Sequence, residues 1–183
     1  NVAIGRGAMQ LPDASADGLA DCIVIGYEAF RGHTDTTTGT SGTIAIGREA
    51  GKALQTGAGN LAIGYQAMLT HTTGDRNIAI GYGAMDATGA NDCPTSTDNI
   101  FIGYDAGGGT WATNDSNHNV GIGNYVMDAA MNGALKNTAV GHRALTDLTT
   151  GDGNVAFGYE AADKLTTGNE NVLIGGYAGD EIT

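Results

Sequence analysis

The sequence has few of the features that membrane proteins and nucleic-acid-binding proteins depend on. It carries only 8 Lys and Arg residues against 20 Asp and Glu residues, which gives a net charge of −12. This charge repels phosphate backbones and anionic lipid surfaces, so we expect no nucleic-acid partner. No apolar run approaches the roughly 20 residues of a transmembrane helix. We therefore expect no direct membrane insertion of this segment.

Cysteine and proline are also scarce, with two of each in 183 residues. Cys22 and Cys93 lie at different positions of an internal repeat, three copies apart. That is about 14 Å at the spacing of stacked strands, beyond disulfide reach unless a loop folds back. Two free thiols are the favoured interpretation, and an intermolecular disulfide is the alternative. Because the chain begins within a repeat at Asn1, without a signal peptide, we expect it to be part of a longer protein.

What the sequence does contain is an internal repeat, and its clearest copy is NLAIGYQAMLTHTTGDR at 60–76. Aligning the copies on the glycine after the apolar triplet gives ten copies, spaced by 17 to 22 residues, and we call this position the column glycine. Internal repeats of this length predict a solenoid. The column glycines are Gly5, Gly26, Gly47, Gly64, Gly81, Gly103, Gly123, Gly141, Gly158 and Gly175.

The residues before the column glycine predict a short strand. Asparagine stands four positions before it in eight of ten copies, and large, mostly β-branched residues stand three positions and one position before it. This period of two gives the strand an apolar face, which we place in the core, and a small residue on the opposite face, where another element must approach closely. The residues assigned to this structural repeat are Asn60, Ile63, Gly64, Asn77, Ile80, Gly81, Asn154, Gly158, Asn171 and Gly175.

The second half of each copy begins with an alanine column, which includes Ala67 and Ala84, and ends in a turn such as TTG at 72–74. We interpret this half as a second short strand or extended arm, with a one-turn helix as the alternative. Strand, turn, strand and turn make one coil. The prediction is an all-β fold, a parallel β-roll or narrow β-solenoid of about ten coils with a 17-residue basic repeat. It forms a single domain over 1–183.

Two columns have both a structural and a more specific interpretation. The asparagines are either an internal amide ladder between coils or turn residues that enter a strand. Tyrosines follow several column glycines, among them Tyr65, Tyr82 and Tyr104. Their rings are candidates for gripping a receptor glycan, and stacking between coils is the alternative.

Four insertions, at 11–21, 32–42, 86–97 and 107–118, occupy the same stretch of the repeat and should project from one edge of the rod. Irregular loops on a rigid scaffold often bind partners, although such insertions also arise by neutral drift. The candidate receptor contacts in them are His33, Trp111, Asn114 and Asp115. The histidines and the acidic residues lack the spacing of metal ligands, so we expect no metal and no cofactor.

The strings NVAIG at 1–5, NLAIG at 60–64 and NIAIG at 77–81 resemble the YadA-type head repeat of trimeric autotransporter adhesins. The fuller string NVAFGYEAADKLTTGNEN, which begins at Asn154, resembles related repeats in bacteriophage tail-fibre shafts. The resemblance covers nearly the whole chain. It implies a homotrimer of left-handed β-rolls in which the Asn-x-Ala-Ile-Gly arm supplies core and inter-subunit contacts.

The resemblance also implies a role in attachment. The expected function is a structural and attachment segment of an extracellular trimeric fibre, a phage tail fibre on the virion, that presents loops to a host-surface glycan or protein receptor. A bacterial surface adhesin head is the alternative. No nucleophile or phosphate-binding motif is present, so we expect no enzyme. A β-helix enzyme that degrades polysaccharide and an ice-binding solenoid are the remaining hypotheses.

Overall fold

The computed structural model describes residues 1–10, 19–32, 39–88 and 95–183. Within these ranges, each copy of the repeat contains one strand of three residues. The strands are β1 (Val2–Ile4), β2 (Ile23–Ile25), β3 (Ile44–Ile46), β4 (Leu61–Ile63), β5 (Ile78–Ile80), β6 (Ile100–Ile102), β7 (Val120–Ile122), β8 (Thr138–Val140), β9 (Val155–Phe157) and β10 (Val172–Ile174).

The ten strands form one parallel sheet in sequence order, so the chain is an all-β solenoid. We call the stretch from one strand to the next a coil. Every strand pairs with the next at equivalent positions of the repeat, as Ala62 does with Ala79 and Ile63 with Ile80. The column alignment predicted from the sequence is therefore confirmed, including across the copies with insertions.

The faces of the strands are the reverse of the prediction. The middle, small residue of the strand lies inside the coil, where Ala62 and Ala79 are fully buried. Ile63 and Ile80 lie on the outer face and are only partly buried. The interior is narrow and already holds the alanine, methionine and leucine columns of the opposite wall. Space inside is therefore left for a methyl group, and the large residues point outward.

Phe101 shows how narrow the interior is. It stands in the small column and is fully buried. A Cβ placed on Gly121, its partner in the next strand, would lie 2.6 Å from the Phe101 ring, and one on Gly107 would lie 2.8 Å from it. Because Gly107 and Gly121 have no side chains, they leave the volume that the Phe101 ring occupies. The same relation holds for Leu173 and Gly179, at 2.8 Å.

The second half of the coil is a turn, and no strand is assigned there in the described residues, so the predicted second strand is wrong. Alternate residues have positive φ, as in Gln66 (57°) and Met68 (53°). Their N–H groups point to opposite neighbours, since Gln66 donates to the Arg48 carbonyl and Met68 to the Ala84 carbonyl, both at 2.9 Å. The backbone ladder between coils therefore continues through the turn.

The column glycine is required by the stacking of the coils. At Gly64, φ is +137°, and a Cβ there would lie only 2.6 Å from the carbonyl carbon of Gly81 in the next coil. An L-residue in this conformation would be strained and would also collide with backbone. The glycine thus allows successive turns to approach within hydrogen-bonding distance.

The buried asparagines form the amide ladder that the sequence predicts. Asn77 Nδ2 donates to Asn60 Oδ1 at 3.2 Å and to the Ser96 carbonyl at 2.9 Å, and the Asn77 backbone N–H donates to the same Asn60 Oδ1 at 2.9 Å. The pattern repeats coil by coil to Asn171. Hydrogen-bonded amides on the coil axis satisfy buried polar groups without any ligand.

The ladder is interrupted where other residues replace asparagine. Cys22 is a buried free thiol whose Sγ lies 3.4 Å from the Thr40 carbonyl oxygen, and Cys93 lies outside the described residues. Thr43 is buried, and its hydroxyl finds no hydrogen-bond partner among the described residues. The first coils therefore lack the continuous amide chain that links β4 to β10.

A second ladder, on the outer turn two residues before four of the asparagines, was not anticipated from the sequence. Its Asp and Asn side chains accept the backbone N–H of the previous coil, each at 2.7 Å. Asp75, for example, caps Ala58, and Asn117 caps Thr97. The polar residues of the closing turn thus help to hold the coils together.

Among the described residues, no helix is long and apolar enough to span a membrane.

Candidate functional site

A continuous row of rings and guanidinium groups runs along one side of the solenoid, and we call it the aromatic ladder. It begins with cation–π contacts of Arg6 and Arg48 with Tyr27, at 5.9 and 5.5 Å from the ring centroid. Ring contacts between neighbouring coils then continue through Tyr65, Tyr82, Tyr104, Tyr125, His142, Tyr159 and Tyr177.

The three tyrosines proposed as receptor contacts stack on one another. The centroids of Tyr65 and Tyr82 are 4.8 Å apart at an interplanar angle of 18°, and those of Tyr82 and Tyr104 are 5.1 Å apart at 14°. Tyr82 is therefore covered on both ring faces and presents its edge and hydroxyl to solvent. This geometry favours the structural role of these rings over sugar stacking.

Tyr125 and Tyr177 enter the ladder from a different position, and the sequence analysis missed both. The residues directly after their column glycines are Asn124 and Gly176, and the tyrosine follows one position later. Tyr125 meets Tyr104 at 64° and His142 at 87°, so neither neighbour stacks parallel on it. The sequence signal that could have revealed them is a tyrosine two positions after the column glycine, one position later than in the other copies.

A cleft of about 230 Å³ opens beside this irregular part of the ladder. It is lined by Tyr125, Asp128, His142, Arg143 and Thr146. The Thr146 hydroxyl donates to the Arg143 carbonyl oxygen at 2.7 Å, which closes the turn beneath the cleft. The cleft thus combines an aromatic ring, a carboxylate and a guanidinium group.

Asp128 belongs to a row of three carboxylates, Asp86, Asp105 and Asp128, which we call the acidic stripe. Burial, with the charge of Asp105, raises the pKa of Asp86 to about 6. Burial, with the charges of Asp105 and Asp86, raises the pKa of Asp128 to about 6, against the opposing effects of the Gly108 N–H and Arg143. Burial also raises the pKa of Asp105, which accepts a hydrogen bond from Tyr104.

Glycines leave the space that these carboxylates occupy. A Cβ on Gly83 would touch the Asp105 carboxylate and lie 3.5 Å from Asp86 Oδ2, and one on Gly108 would lie 3.1 Å from Asp128 Oδ1. In earlier coils the same positions carry paired charges. Lys52 Nζ lies 2.8 Å from Glu49 Oε1 and 2.9 Å from Glu28 Oε2.

These earlier carboxylates behave oppositely. The hydrogen bond from Lys52 is the main cause that lowers the pKa of both Glu28 and Glu49. The positive charge of Lys52 therefore compensates Glu28 and Glu49 in the earlier coils. Beside Asp86 and Asp105 of the acidic stripe, glycine takes the equivalent places.

The candidate contacts in the insertions have different outcomes. Trp111 is fully buried and packs edge-on against Phe101, with centroids 5.9 Å apart, so the prediction that it contacts a receptor is wrong for the described structure. Asn114 is exposed, and the Asp115 carboxylate accepts hydrogen bonds from the Thr95 N–H and hydroxyl. His33 lies outside the described residues.

The fourth insertion is also not a projecting loop. Residues 107–118 form the wall of an enlarged coil, in which Ser116 is buried and Ala112 N–H donates to the Met131 carbonyl at 2.8 Å. The apolar side chain of Trp111 is the reason, because it fills the column that leucine occupies in other coils, as in Leu54.

His71 stands in the same interior column. It is fully buried, and burial lowers its pKa to about 4. Nδ1 lies 2.9 Å from Thr88 Oγ1, and Nε2 lies 3.3 Å from Asn77 Nδ2. These contacts make it a neutral interior residue. In the part of the chain that the structure describes, no group of three His, Cys, Asp or Glu side chains is arranged to hold a metal ion.

Comparison of the chain with protein-family models, with curated proteins and with solved structures found no match.

Proposed function

We propose that this chain is a structural and attachment segment of an extracellular trimeric fibre, with a bacteriophage tail fibre as the leading setting and a bacterial surface adhesin as the alternative. The observation that carries the proposal is the outer face of the sheet. Its twenty positions hold nineteen apolar side chains and one threonine, and none of the twenty is buried in the single chain.

This face is unusual for a chain that works alone. Parallel sheets are normally covered on both faces. Ten strands at about 4.8 Å spacing and about 10 Å length give an apolar strip of roughly 450 Å² before side-chain relief, and contiguous apolar patches of this size are often functional contact surfaces. Val172 and Ile174 are each 68% exposed, and Phe157 is 56% exposed. A covering partner is therefore expected.

A second copy of the chain is the partner that fits best. The strip repeats at every coil and is flanked by the aromatic ladder, so identical chains aligned side by side present matching strips along their length. The resemblance of the Asn-x-Ala-Ile-Gly string to trimeric fibre repeats supports three chains and left-handed coiling. A rod of this kind holds a binding surface away from its anchor and presents it three times.

The attachment function predicts avidity. A surface of immobilised bacterial lipopolysaccharide and capsular polysaccharide should retain the chain, and the double substitution Ile63→Asp and Ile80→Asp should weaken retention by about a hundredfold or more, because separated chains bind through one site each. Glu160→Gln, at a half-buried position of the turn after β9, is the control. Equal retention of the association-deficient variant would contradict a multivalent mechanism.

The acidic stripe favours a second candidate function, a solenoid enzyme that cleaves polysaccharide. A carboxyl group with a pKa of about 6, such as Asp128, is suited to general acid catalysis, and a neighbouring carboxylate can act as base or nucleophile. Release of new reducing ends from bacterial polysaccharide, abolished by Asp128→Asn, would support this candidate. Intact polysaccharide after long incubation would leave the attachment function alone.

A further inference from the structure

We infer that the cleft beside Tyr125 binds one neutral pyranose ring of a surface glycan. The inference rests on the proposed attachment function and identifies a site for it, different from the stacked tyrosines and from the insertions. The residues that would make the site are Tyr125, Asp128, His142, Arg143 and Thr146.

The Tyr125 ring is arranged in a way that suits a ligand. Tyr125 is 37% exposed, borders the cleft and has no parallel-stacked neighbour among the described rings. Tyr82, in contrast, is stacked on both faces. An aromatic ring at the wall of a cleft provides an apolar surface for the C–H face of a sugar. Tyr125 is thus the ladder ring best placed to stack on a ligand.

The polar groups across the cleft suit the hydroxyl groups of a sugar. The Asp128 carboxylate accepts hydrogen bonds, and the Arg143 guanidinium donates them. Vicinal hydroxyls of a sugar can donate to the first and accept from the second. Thr146 already donates its proton to backbone carbonyls, so its oxygen is left as an acceptor. Few placed polar groups around an apolar surface are typical of small-ligand sites.

Charge and size select the class of sugar. The acidic stripe places Asp105 and Asp86 behind Asp128, and the only cation that the charge interactions of Asp128 include is Arg143. The local charge is therefore negative, which repels uronic and sialic acids. The volume of about 230 Å³ lies below the roughly 300–1,000 Å³ of drug-sized pockets, so one ring fits better than an oligosaccharide.

Another cleft of about 390 Å³ provides an internal comparison. It is lined by Leu135, Lys136, Asp152, Gly153, Asn169 and Glu170. This cleft contains charged and amide groups but no aromatic ring, so it lacks a surface on which a pyranose can stack. The aromatic ring distinguishes the proposed site from an ordinary polar depression.

Saturation-transfer NMR on the 183-residue chain tests the site, with glucose, galactose, mannose and N-acetylglucosamine as neutral probes and glucuronic acid and sialic acid as acidic probes. We expect saturable binding of at least one neutral sugar and weaker binding of both acids. Tyr125→Leu should weaken binding by about tenfold or more, which corresponds to 1.4 kcal/mol. The matched substitution Tyr82→Leu should change it by less than about twofold, since Tyr82 lies outside the cleft.

Arg143→Gln, which changes an exposed side chain of the cleft, is the second variant and should also weaken binding. It keeps the site testable if Tyr125→Leu fails to fold. Absence of saturable binding by every neutral sugar would overturn the inference, as would stronger binding of the acids or equal losses in Tyr125→Leu and Tyr82→Leu. These results are separate from the fibre proposal. A trimer without sugar binding rejects the site alone, and a monomer that binds sugar through Tyr125 rejects the fibre alone.

Discussion

The two faces of the sheet differ in how completely their side chains are buried and hydrogen-bonded within the single chain. On the inside, Ala62 and Ala79 are fully buried, and the asparagine ladder bonds its amides from coil to coil. On the outside, the neighbouring residues Ile63 and Ile80 are larger and more apolar but are only partly covered. The largest hydrophobic residues of the strand therefore keep apolar surface that the single chain does not cover.

This difference separates two tasks within the five-residue string. The small residue, the asparagine and the glycine make the coil, since each is needed for close stacking of backbone. The two large residues contribute when something covers them, at roughly 25 cal/mol per Å² of apolar surface removed from water. The inner face thus serves folding, and we propose that the outer face serves association.

Two phenylalanines on opposite faces allow the largest test of this separation. Phe101→Ala should lower the free energy of unfolding by about 3–5 kcal/mol, because the interior ring leaves a cavity that Gly107 and Gly121 do not fill. Phe157→Ala, on the outer face, should cost about 0.5 kcal/mol or less in the separated chain. Urea denaturation at low protein concentration measures both.

Equal losses for the two variants would contradict the assignment of the faces. A small effect of Phe101→Ala together with a large effect of Phe157→Ala would show that the outer residues hold the single chain together.

The asparagine ladder gives the next largest effect. Asn77→Leu removes the donor to Ser96 and Asn60 and the acceptor of the Asn99 amide, so we expect a loss of roughly 2–4 kcal/mol, at about 1–3 kcal/mol for each orphaned buried group. Asn171→Leu, at the end of the ladder, is the control. It should cost about 1 kcal/mol, because no following coil depends on it. If Asn77→Leu left the free energy of unfolding unchanged, the asparagines would be turn residues that enter a strand and not a stabilising ladder.

The sequence predicts the periodic part of this structure well and its orientation poorly. The column of ten glycines and the column of eight asparagines give the strands, their register and the amide ladder, because stacking forces equivalent residues into contact. Periodicity alone does not say which side of a two-sided strand is inside. Alanine faces the interior and isoleucine faces outward because the coil is narrow, and the turn residues set its width.

The candidate site was less accessible to sequence reasoning. Trp111 was expected at the surface because it lies in an insertion, yet it fills an interior column. The cleft beside Tyr125 was missed because its residues are scattered over two coils and because the tyrosine stands one position off its column. The acidic stripe depends on glycines in neighbouring coils, which no single copy reveals.

The acidic stripe predicts that the stability of the folded chain depends on pH. The folded-state pKa values of Asp86 and Asp128, about 6, lie above the ordinary value of 3.8, so folding favours their protonated forms. Their contribution to stability is complete below about pH 3.8 and is lost as the pH rises through about 6.

The double substitution Asp86→Asn and Asp128→Asn should therefore stabilise the chain at pH 7, by an amount on the order of 1 kcal/mol after solvent screening. The gain should vanish near pH 4. Comparison with the unsubstituted chain at each pH is essential, because the lowered pKa of His71 destabilises both proteins as the pH falls. A gain that does not depend on pH would contradict the assigned shifts.

The most direct test of the separation between folding and association is the mass of the unsubstituted chain in solution, measured by sedimentation equilibrium over a range of concentrations. The account predicts three times the chain mass of 18.5 kDa, and a folded single chain after Ile63→Asp and Ile80→Asp. A monodisperse, folded monomer of the unsubstituted chain at every concentration would contradict it, because the apolar outer face would then be stable in water without a partner.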